Sequence, residues 1–182
     1  MKTVILGITG SIAAYKAADI ASGLVKAGCE VHAVMSMGAQ RFITPLTLQT
    51  LTKNRVHTDV FQEDDPAQVK HIALAQSADL FLVAPASANA VAKLAFGLAD
   101  DMLTSAALAM GDIPLLIAPA MNTRMYGNAA VQANLCTLEE RGWEIIQPKE
   151  SMLACGVVGK GALADVPDIV SRALSLLSGA DK

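Results

Sequence analysis

The stretch "GITGSIAAYK", from Gly7 to Lys16, decides the fold of this chain. The apolar residues Val4, Ile5 and Leu6 lead into two glycines and a serine, and helical spacing follows. A strand, a Gly/Ser turn and a helix start form an anion site, because the first N–H groups of a helix lack internal partners. The spacing G-x-x-G-S is neither the G-x-G-x-x-G of dinucleotide sites nor a P-loop, for which Lys16 lies too far along. The stretch therefore predicts a phosphate site but does not identify the nucleotide.

The composition limits the class of protein. A length of 182 residues suits one domain, taken here as residues 1–182. Because 53% of the residues are hydrophobic and only 17% are charged, we expect an oligomer whose subunits cover apolar surface. A net charge of −3 without a Lys/Arg cluster argues against nucleic-acid binding. No apolar run approaches the ~20 residues of a membrane span and no signal peptide is recognisable, which predicts a cytoplasmic protein without membrane contact.

Apolar runs of strand length alternate with segments of helical spacing, which predicts an α/β fold with a parallel sheet. Strands are expected at 3–8, 31–35, 80–84, 113–118 and 144–146, with a sixth, edge strand at 55–60. The first helix places one apolar side inward and ends at Gly28; that side comprises Ile12, Ala17, Ile20, Ala21, Leu24 and Val25. Further helices are expected at 45–52, 68–77, 90–96, 102–110, 129–141 and 166–177. Residues 147–165 lack periodicity and are expected to form a long loop, either functional or disordered.

Unusual residues follow several of the predicted strands. In doubly wound sheets, ligands bind beyond the carboxyl ends of the strands. "APASANA" and "APAMN" follow two strands, and since proline cannot donate to a central ladder, we expect the sheet to stop there. Ser87, Asn89 and Asn122 then turn hydroxyl and amide groups into one crevice. The alternative for each of them is a helix cap.

Through four motifs and their order, the sequence resembles the flavin-dependent cysteine decarboxylases. These motifs are "GITGSIAAYK", the segment from "VKHIALAQ" to "ADDMLT", "APAMNTRMY" and "LACGVVGKGAL", and they cover nearly the whole chain. The resemblance implies a three-layer Rossmann-like flavoprotein fold, with a parallel β-sheet flanked by helices, and FMN as cofactor. It also implies a homotrimer or a multiple of trimers, a dodecamer included. Bifunctional members add a ligase domain, which this sequence lacks, so a monofunctional decarboxylase is expected.

The resemblance places FMN against three loops. The expected cofactor-binding residues are Gly10, Ser11 and Ile12 at the phosphate, Ser87 and Asn89 at the ribityl-phosphate, and Ser36 with Phe42 over the flavin. Ala90 stands where the family usually has threonine, which removes one hydroxyl contact. The three cysteines show no zinc spacing, so no metal is expected.

Two further residues carry the chemistry in the family. His71 is the expected base for the substrate thiol, since imidazole titrates near neutral pH; by itself, a histidine at a helix start is more often a cap or surface residue. Asn122 is expected to orient the substrate carboxylate, with Met121 packing beside it. An amide donates to a carboxylate without the positive charge that would stabilise the ground state and oppose loss of CO2.

The resemblance also places a substrate clamp at about residues 148–164. Cys155 is expected to supply a proton late in the reaction, with Ala154, Gly156 and Lys160 contacting the substrate, Lys160 as a cation for its phosphate. Val157 and the Ala162-Leu163 pair depart from the Asp and Arg-Met that are common in the family. The remaining cysteines and histidines match no motif: Cys29 and Cys136 are expected to be buried apolar residues, and His32 and His57 structural or surface residues.

The activity that the resemblance implies is FMN-dependent decarboxylation of 4′-phospho-N-pantothenoylcysteine to 4′-phosphopantetheine in coenzyme A biosynthesis, through thioaldehyde and enethiol intermediates. One alternative is a peptidyl-cysteine decarboxylase of the lantibiotic type, which stops at the enethiol and does not need the clamp cysteine. Another is a non-catalytic regulatory flavoprotein, which tends to lose the asparagine or the cysteine. A flavin prenyltransferase shares the fold but would not combine His71, "PAMN" and "ACG". Asn122 and Cys155 favour the first activity.

Overall fold

The structure is a computed structural model that describes residues 1–63, 66–152 and 158–179. Its strands are β1 Thr3–Ile8, β2 Glu30–Met35, β3 Leu80–Ala86, β4 Leu115–Pro119, β5 Trp143–Ile145, β6 Lys149–Met152 and β7 Val158–Ala162. Its α-helices are α1 Ala17–Lys26, α2 Pro45–Thr52, α3 Lys70–Ser77, α4 Ala88–Phe96, α5 Met102–Ala109, α6 Thr123–Tyr126, α7 Ala129–Glu140 and α8 Val166–Ser178.

The first five strands form a parallel sheet in the order β2-β1-β3-β4-β5. One face packs against α1, α2 and α8, and the other against α3, α4, α5 and α7. This arrangement confirms the predicted α/β fold with helices on both sides of a parallel sheet. The connections reverse direction between β1 and β3, and such a switch point opens a crevice at the carboxyl edge of the sheet.

The first connection begins with a tighter turn than the sequence predicts. Ser11 caps a 3-10 turn, Ile12–Lys16, and α1 follows from Ala17. A 3-10 turn has about 3.0 residues per turn instead of 3.6, so Ile12 leaves the buried side of the helix. Its side chain is 61% exposed, and its expected place in the core is therefore wrong. The helix ends as predicted, with Gly28 in the left-handed region at φ +88.

The sheet differs from prediction at its prolines and at one edge. β3 continues through the cis peptide before Pro85 to Ala86, which pairs with Pro119 after a register shift. The prediction that the sheet stops at the first proline is therefore wrong. After the register shift, pairing between β3 and β4 resumes at Ala86, beyond Pro85. Residues 55–60 do not form the expected edge strand. They contribute one bridge, in which His57 pairs with Val34 of β2.

Residues 147–165 contain an antiparallel hairpin, β6–β7, rather than an irregular loop. In its second strand, Lys160 lies between Gly159 and Gly161. Glycine is neither clearly apolar nor polar, so the two-residue alternation of a strand cannot be recognised in this sequence. After the hairpin, Leu163 and Ala164 are buried in the core on the α1 face. The expected clamp therefore has a regular, anchored base.

Among the described residues, no helix combines the length and the apolar character that a membrane crossing requires.

Candidate active site

Thr9, which the sequence analysis did not single out, joins the loops after β1 and β3. Its side chain is 2% exposed. The Oγ1 hydroxyl donates to the Pro85 carbonyl at 2.8 Å and accepts from the Ser87 N–H at 2.8 Å. The Thr9 N–H also donates to the Pro85 carbonyl, at 3.2 Å. The loop after β1 and the "PASAN" segment therefore lie side by side at the switch point.

The loops after β1 and β2 meet at two glycines. A Cβ atom on Gly10 would lie 3.2 Å from the Cα of Gly38, and one on Gly38 would lie 3.2 Å from the Cα of Gly10. Ser36 begins the second loop, where its Oγ accepts from the Ala39 N–H at 3.2 Å. The structure thus brings together the loops that carry Gly10 and Ser36, and they meet at Gly38, which the sequence analysis did not single out.

Ser87 begins α4, and its Oγ accepts from the Ala90 N–H at 3.3 Å. The predicted cap is therefore present, and α4 starts two residues earlier than expected. Asn89 is exposed in the first helical turn, whereas Ala90 is buried. Phe42, in the loop after β2, is 49% exposed. The start of α4 directs the positive end of the helix dipole toward the crevice, and this favours binding of an anion there.

The turn after β4 carries Asn122 at the same edge of the sheet. The Ala120 N–H donates to the Ala86 carbonyl at 2.9 Å and fixes this turn beside the end of β3. Asn122 caps α6, since its Oδ1 accepts from the Arg124 N–H at 2.8 Å. With Oδ1 in the cap, Nδ2 is the donor of this side chain, so capping and donation to a carboxylate are compatible.

His71 is the second residue of α3, the helix that leads into β3. A helix that enters a parallel strand begins at the carboxyl edge of the sheet, so His71 lies at the same edge as the three loops. Its side chain is partly buried, and Nδ1 is buried without a hydrogen-bond partner among the described residues. Its position differs from that of His57, which lies beside β2.

The hairpin β6–β7 rests on the Asn122 turn. The Met121 N–H donates to the Gly161 carbonyl at 2.9 Å. Lys160, between the two glycines of β7, donates to Gln147 Oε1 at 3.0 Å and lies 5.6 Å from the centre of the Tyr126 ring. The Tyr126 hydroxyl donates to the same Gln147 oxygen at 2.9 Å, and burial raises its pKa. Lys160 is thus tied to the hairpin base and to α6.

Three predicted clamp residues, Ala154, Cys155 and Gly156, lie outside the described residues, as does Val157. Of the other cysteines, Cys29 is buried as predicted, and burial raises its thiol pKa. Cys136 is exposed, so its predicted burial is wrong. In α7 the buried positions are Leu135 and Leu138, and the helical turn carries the residue after Leu135 toward solvent.

His32 and His57 line a groove between β2 and α3, which contributes Lys70, Ala73, Leu74 and Ser77. Burial, with the nearby charges of His32, Lys70 and Arg55, lowers the pKa of His57 from 6.5 to about 4. His32 Nε2 lies 3.2 Å from Glu30 Oε1. Among the described residues, no group of three or more His, Cys, Asp or Glu side chains is arranged to hold a metal ion.

Relatives support the resemblance seen in the motifs. A "Probable phosphopantothenoylcysteine decarboxylase" of Streptococcus mutans is 54% identical over 172 residues, which cover 94% of this chain and 96% of the relative. The bifunctional coenzyme A biosynthesis protein CoaBC of Bacillus subtilis is 48% identical over 94% of this chain, which spans 42% of that larger protein.

Solved structures and a family model agree with these relatives. A Cys-to-Ser mutant of PPC decarboxylase, complexed with pantothenoylaminoethenethiol, is 33% identical with a TM-score of 0.85, over 94% of this chain and 95% of that one. The FMN-dependent cysteine decarboxylase SpaF is 32% identical with a TM-score of 0.85, over 98% of both chains. The model of the family described as Flavoprotein matches residues 1–178. The resemblance is confirmed, and the chain belongs to the flavoprotein family.

Proposed function

We propose that this protein is an FMN-dependent carboxy-lyase that converts 4′-phospho-N-pantothenoylcysteine to 4′-phosphopantetheine in coenzyme A biosynthesis. The observation that carries the proposal is the position of Asn122, on a turn fixed beside the end of β3 at the carboxyl edge of the sheet. The near full-length identity to the Streptococcus mutans relative supports the choice of substrate. A cytoplasmic location, without nucleic-acid or membrane partners, is part of the proposal.

The described residues fit FMN at this edge. The Gly10–Gly38 contact keeps side chains away from the phosphate position, and the starts of the Ile12–Lys16 turn and of α4 present N–H groups beside it. We assign the phosphate to Gly10, Ser11 and the N–H of Ile12, and the ribityl side to Ser87 and Asn89. We assign the flavin ring to the region near Ser36 and Phe42. FMN supplies the hydride transfer that creates an electron sink for the departing CO2.

The residues of the chain bind the substrate and move its protons. His71, at the start of α3, takes the thiol proton of the cysteine moiety with its imidazole ring. Asn122 holds the carboxylate through Nδ2 and leaves its charge uncompensated. Met121 packs beside it. The thioaldehyde and then the enethiol form on the substrate.

The clamp completes the reaction in this proposal. Cys155, between Ala154 and Gly156, protonates the carbon next to the one that regains hydride, and the product is then phosphopantetheine rather than the enethiol. Lys160 supplies a cation for the substrate phosphate, and for this it must release Gln147, to which it donates in the structure.

The decisive experiment is mass analysis of the product made from phosphopantothenoylcysteine. Wild-type protein should be purified yellow with FMN and should release a product lighter than the substrate by CO2 alone. Cys155→Ser should keep FMN and lose CO2, yet give a product lighter by CO2 plus two hydrogens. His71→Asn should keep FMN and slow all turnover by about 100- to 10,000-fold. Fully reduced product from Cys155→Ser at the wild-type rate would remove Cys155 from its role.

The similarity to a solved peptidyl-cysteine decarboxylase, 25% identical with a TM-score of 0.78, favours one alternative, oxidative decarboxylation of a peptidyl cysteine. That activity would give the enethiol with wild-type protein and would not need Cys155. The same mass measurement, with a cysteine-terminated peptide in parallel, separates the two functions. A colourless protein that cannot be reconstituted with FMN would contradict both.

We also propose that the subunits form a homotrimer or a multiple of trimers. Large apolar side chains stand exposed on several loops and helices, among them Ile12, Tyr15, Met37, Phe96 and Leu108. Together with the 53% hydrophobic composition, these exposed side chains favour coverage of apolar surface by other subunits. Light scattering should give a mass that is a multiple of three subunits, and a stable, active monomer would contradict the proposal.

A further inference from the structure

The contact between β7 and the Asn122 turn has almost no free space. A Cβ atom on Gly159 would lie 2.7 Å from both Oγ1 and Cγ2 of Thr123. A Cβ atom on Gly161 would lie 2.5 Å from the Met121 carbonyl oxygen, and Gly161 has φ +154. The two glycines therefore allow β7 to pack directly on this turn. Gly161 also accepts the hydrogen bond from the Met121 N–H.

Thr123 contributes volume to this contact rather than a hydrogen bond. Its Oγ1 is buried and has no partner among the described residues. A hydroxyl without a partner gives no binding energy, so its side chain acts here through its shape. The Thr123 backbone is the first residue of α6, directly after Asn122, so a displacement of Thr123 moves Asn122 as well.

We propose that Thr123 and Gly159 are positioning residues: their steric contact fixes β7 on the turn after β4, so that Asn122 and Lys160 are held as one unit. The inference rests on the proposed function for the roles of Asn122 and Lys160. The contact itself depends only on the geometry of the described residues. Neither Thr123 nor Gly159 touches the reacting atoms.

The structure provides a size exchange to test the contact. Gly159→Ala adds a methyl group against Thr123, and Thr123→Ala removes both atoms that it would strike, leaving only Cβ at 3.3 Å. The double variant G159A/T123A should therefore restore the fit. Gly161→Ala instead strikes a backbone carbonyl, which no side-chain truncation can relieve. Gly111→Ala is the matched control, because nothing lies within 4 Å of its added Cβ.

Two readouts separate the positioning role from the proposed function. Hydrogen exchange of the Met121 N–H reports the seating of β7 without any substrate. Steady-state kinetics with phosphopantothenoylcysteine report the consequence for catalysis. Flavin absorbance measures the bound FMN and so shows whether the rest of the protein is intact. We expect G159A to expose the Met121 N–H, to keep FMN, and to lower kcat/KM by about 10- to 100-fold, mainly through KM, since small misplacements near a substrate cost this much.

The double variant decides the outcome. G159A/T123A should regain Met121 protection and come within about threefold of wild-type kcat/KM, whereas G161A/T123A should stay impaired and G111A should match wild type. The inference is overturned if G159A leaves exchange and KM unchanged, if G159A/T123A does not recover, or if G161A/T123A recovers equally. If wild-type protein fails to act on the substrate, the proposed function falls, and the exchange measurements alone decide the contact.

Discussion

Two threonines with buried hydroxyls join segments at the carboxyl edge of the sheet, and they do so by different means. Thr9 ties the loop after β1 to the end of β3 with a hydroxyl that both donates to the Pro85 carbonyl and accepts from the Ser87 N–H. Thr123 lies under β7 with an Oγ1 that has no partner among the described residues. The Thr9 joint depends on hydrogen bonds, whereas the Thr123 joint depends on space.

The difference matters for how each part of the site fails. A hydrogen-bonded joint is damaged when a polar atom is removed, because buried groups then lose their partners. A close-packed joint is damaged when an atom is added. Substitutions that remove a hydroxyl but keep the shape should therefore damage the Thr9 joint and spare the Thr123 joint.

The largest effect is expected at the hydrogen-bonded joint. Thr9→Val keeps the shape but leaves the Ser87 N–H without its partner and the buried Pro85 carbonyl with the Thr9 N–H alone, so the free energy of unfolding should fall by about 1–3 kcal/mol. FMN affinity should weaken with it, since Ser87 begins α4. Urea unfolding and flavin titration measure the two effects. Thr9→Ser, which keeps the hydroxyl, should lie much closer to wild type, and equal losses in the two variants would count against the hydrogen-bonded joint.

The loop after β1 also contains a close-packed joint, where Gly10 meets Gly38. Gly10→Val places a branched side chain against the Gly38 backbone, where even a Cβ would lie 3.2 Å from Cα. The loops after β1 and β2 should separate, and FMN affinity should fall by about tenfold or more. Flavin content after purification and titration of the apoprotein provide the test. Gly111→Val is the control, since that exposed site has open space; retention of full flavin by G10V would place the phosphate elsewhere.

His57 provides a third case, because its Nδ1 is also buried without a partner among the described residues. Burial, then the charges of His32, Lys70 and Arg55, lower its pKa to about 4. Between about pH 6.5 and 4 the unfolded chain binds a proton that the native ring excludes, so stability present above pH 6.5 is lost as the pH falls. We expect this histidine to contribute about 1–2 kcal/mol of that loss, since water still screens the half-buried ring.

The measurement is urea unfolding of wild type and His57→Gln at several values between pH 4 and pH 7. The variant should lose less stability on acidification, because it lacks the titrating ring. The carboxylates contribute equally to both proteins. Parallel stability curves for the two proteins would contradict the lowered pKa.

The smallest effect should come from Thr123→Val. This change removes a hydroxyl without a partner and keeps the volume against Gly159, so we expect the free energy of unfolding to change by less than about 0.5 kcal/mol, or to rise. Hydrogen exchange at the Met121 N–H should also stay at the wild-type level. A loss comparable to that of T9V would mean that Oγ1 has an essential partner and would end the distinction between the two joints.

Much of the first half of this edge could be predicted from sequence, because local signals encode it. A β-branched run, Gly10 and Ser11 mark the strand, turn and cap, and Ser87 and Asn122 are caps as their residue types indicate. Thr9 was missed because threonine beside a strand is ordinary in sequence. Its importance comes from Pro85 and Ser87, more than seventy residues away.

The hairpin side was less predictable for a physical reason. Because of the glycines at 159 and 161, β7 lacks the alternation of apolar and polar residues that predicts a strand. Their close contacts with Thr123 and Met121 are seen only in the structure. Local interpretation also failed at Ile12, where a 3-10 turn replaced the expected helix, and at Cys136, where the expected burial ignored the direction of the helical face. Contacts distant in sequence carry no local pattern to predict them.

The two edges of the parallel sheet have a consequence for self-association. At one edge, the single bridge of His57 occupies the Ala33 carbonyl and the Met35 N–H of β2. At the other, β5 is only three residues long. Short or partly covered edge strands resist the addition of a strand from another chain. Copies of this protein are therefore expected to meet through the side chains of loops and helices, and an assembled particle should keep each sheet separate instead of continuing it from subunit to subunit.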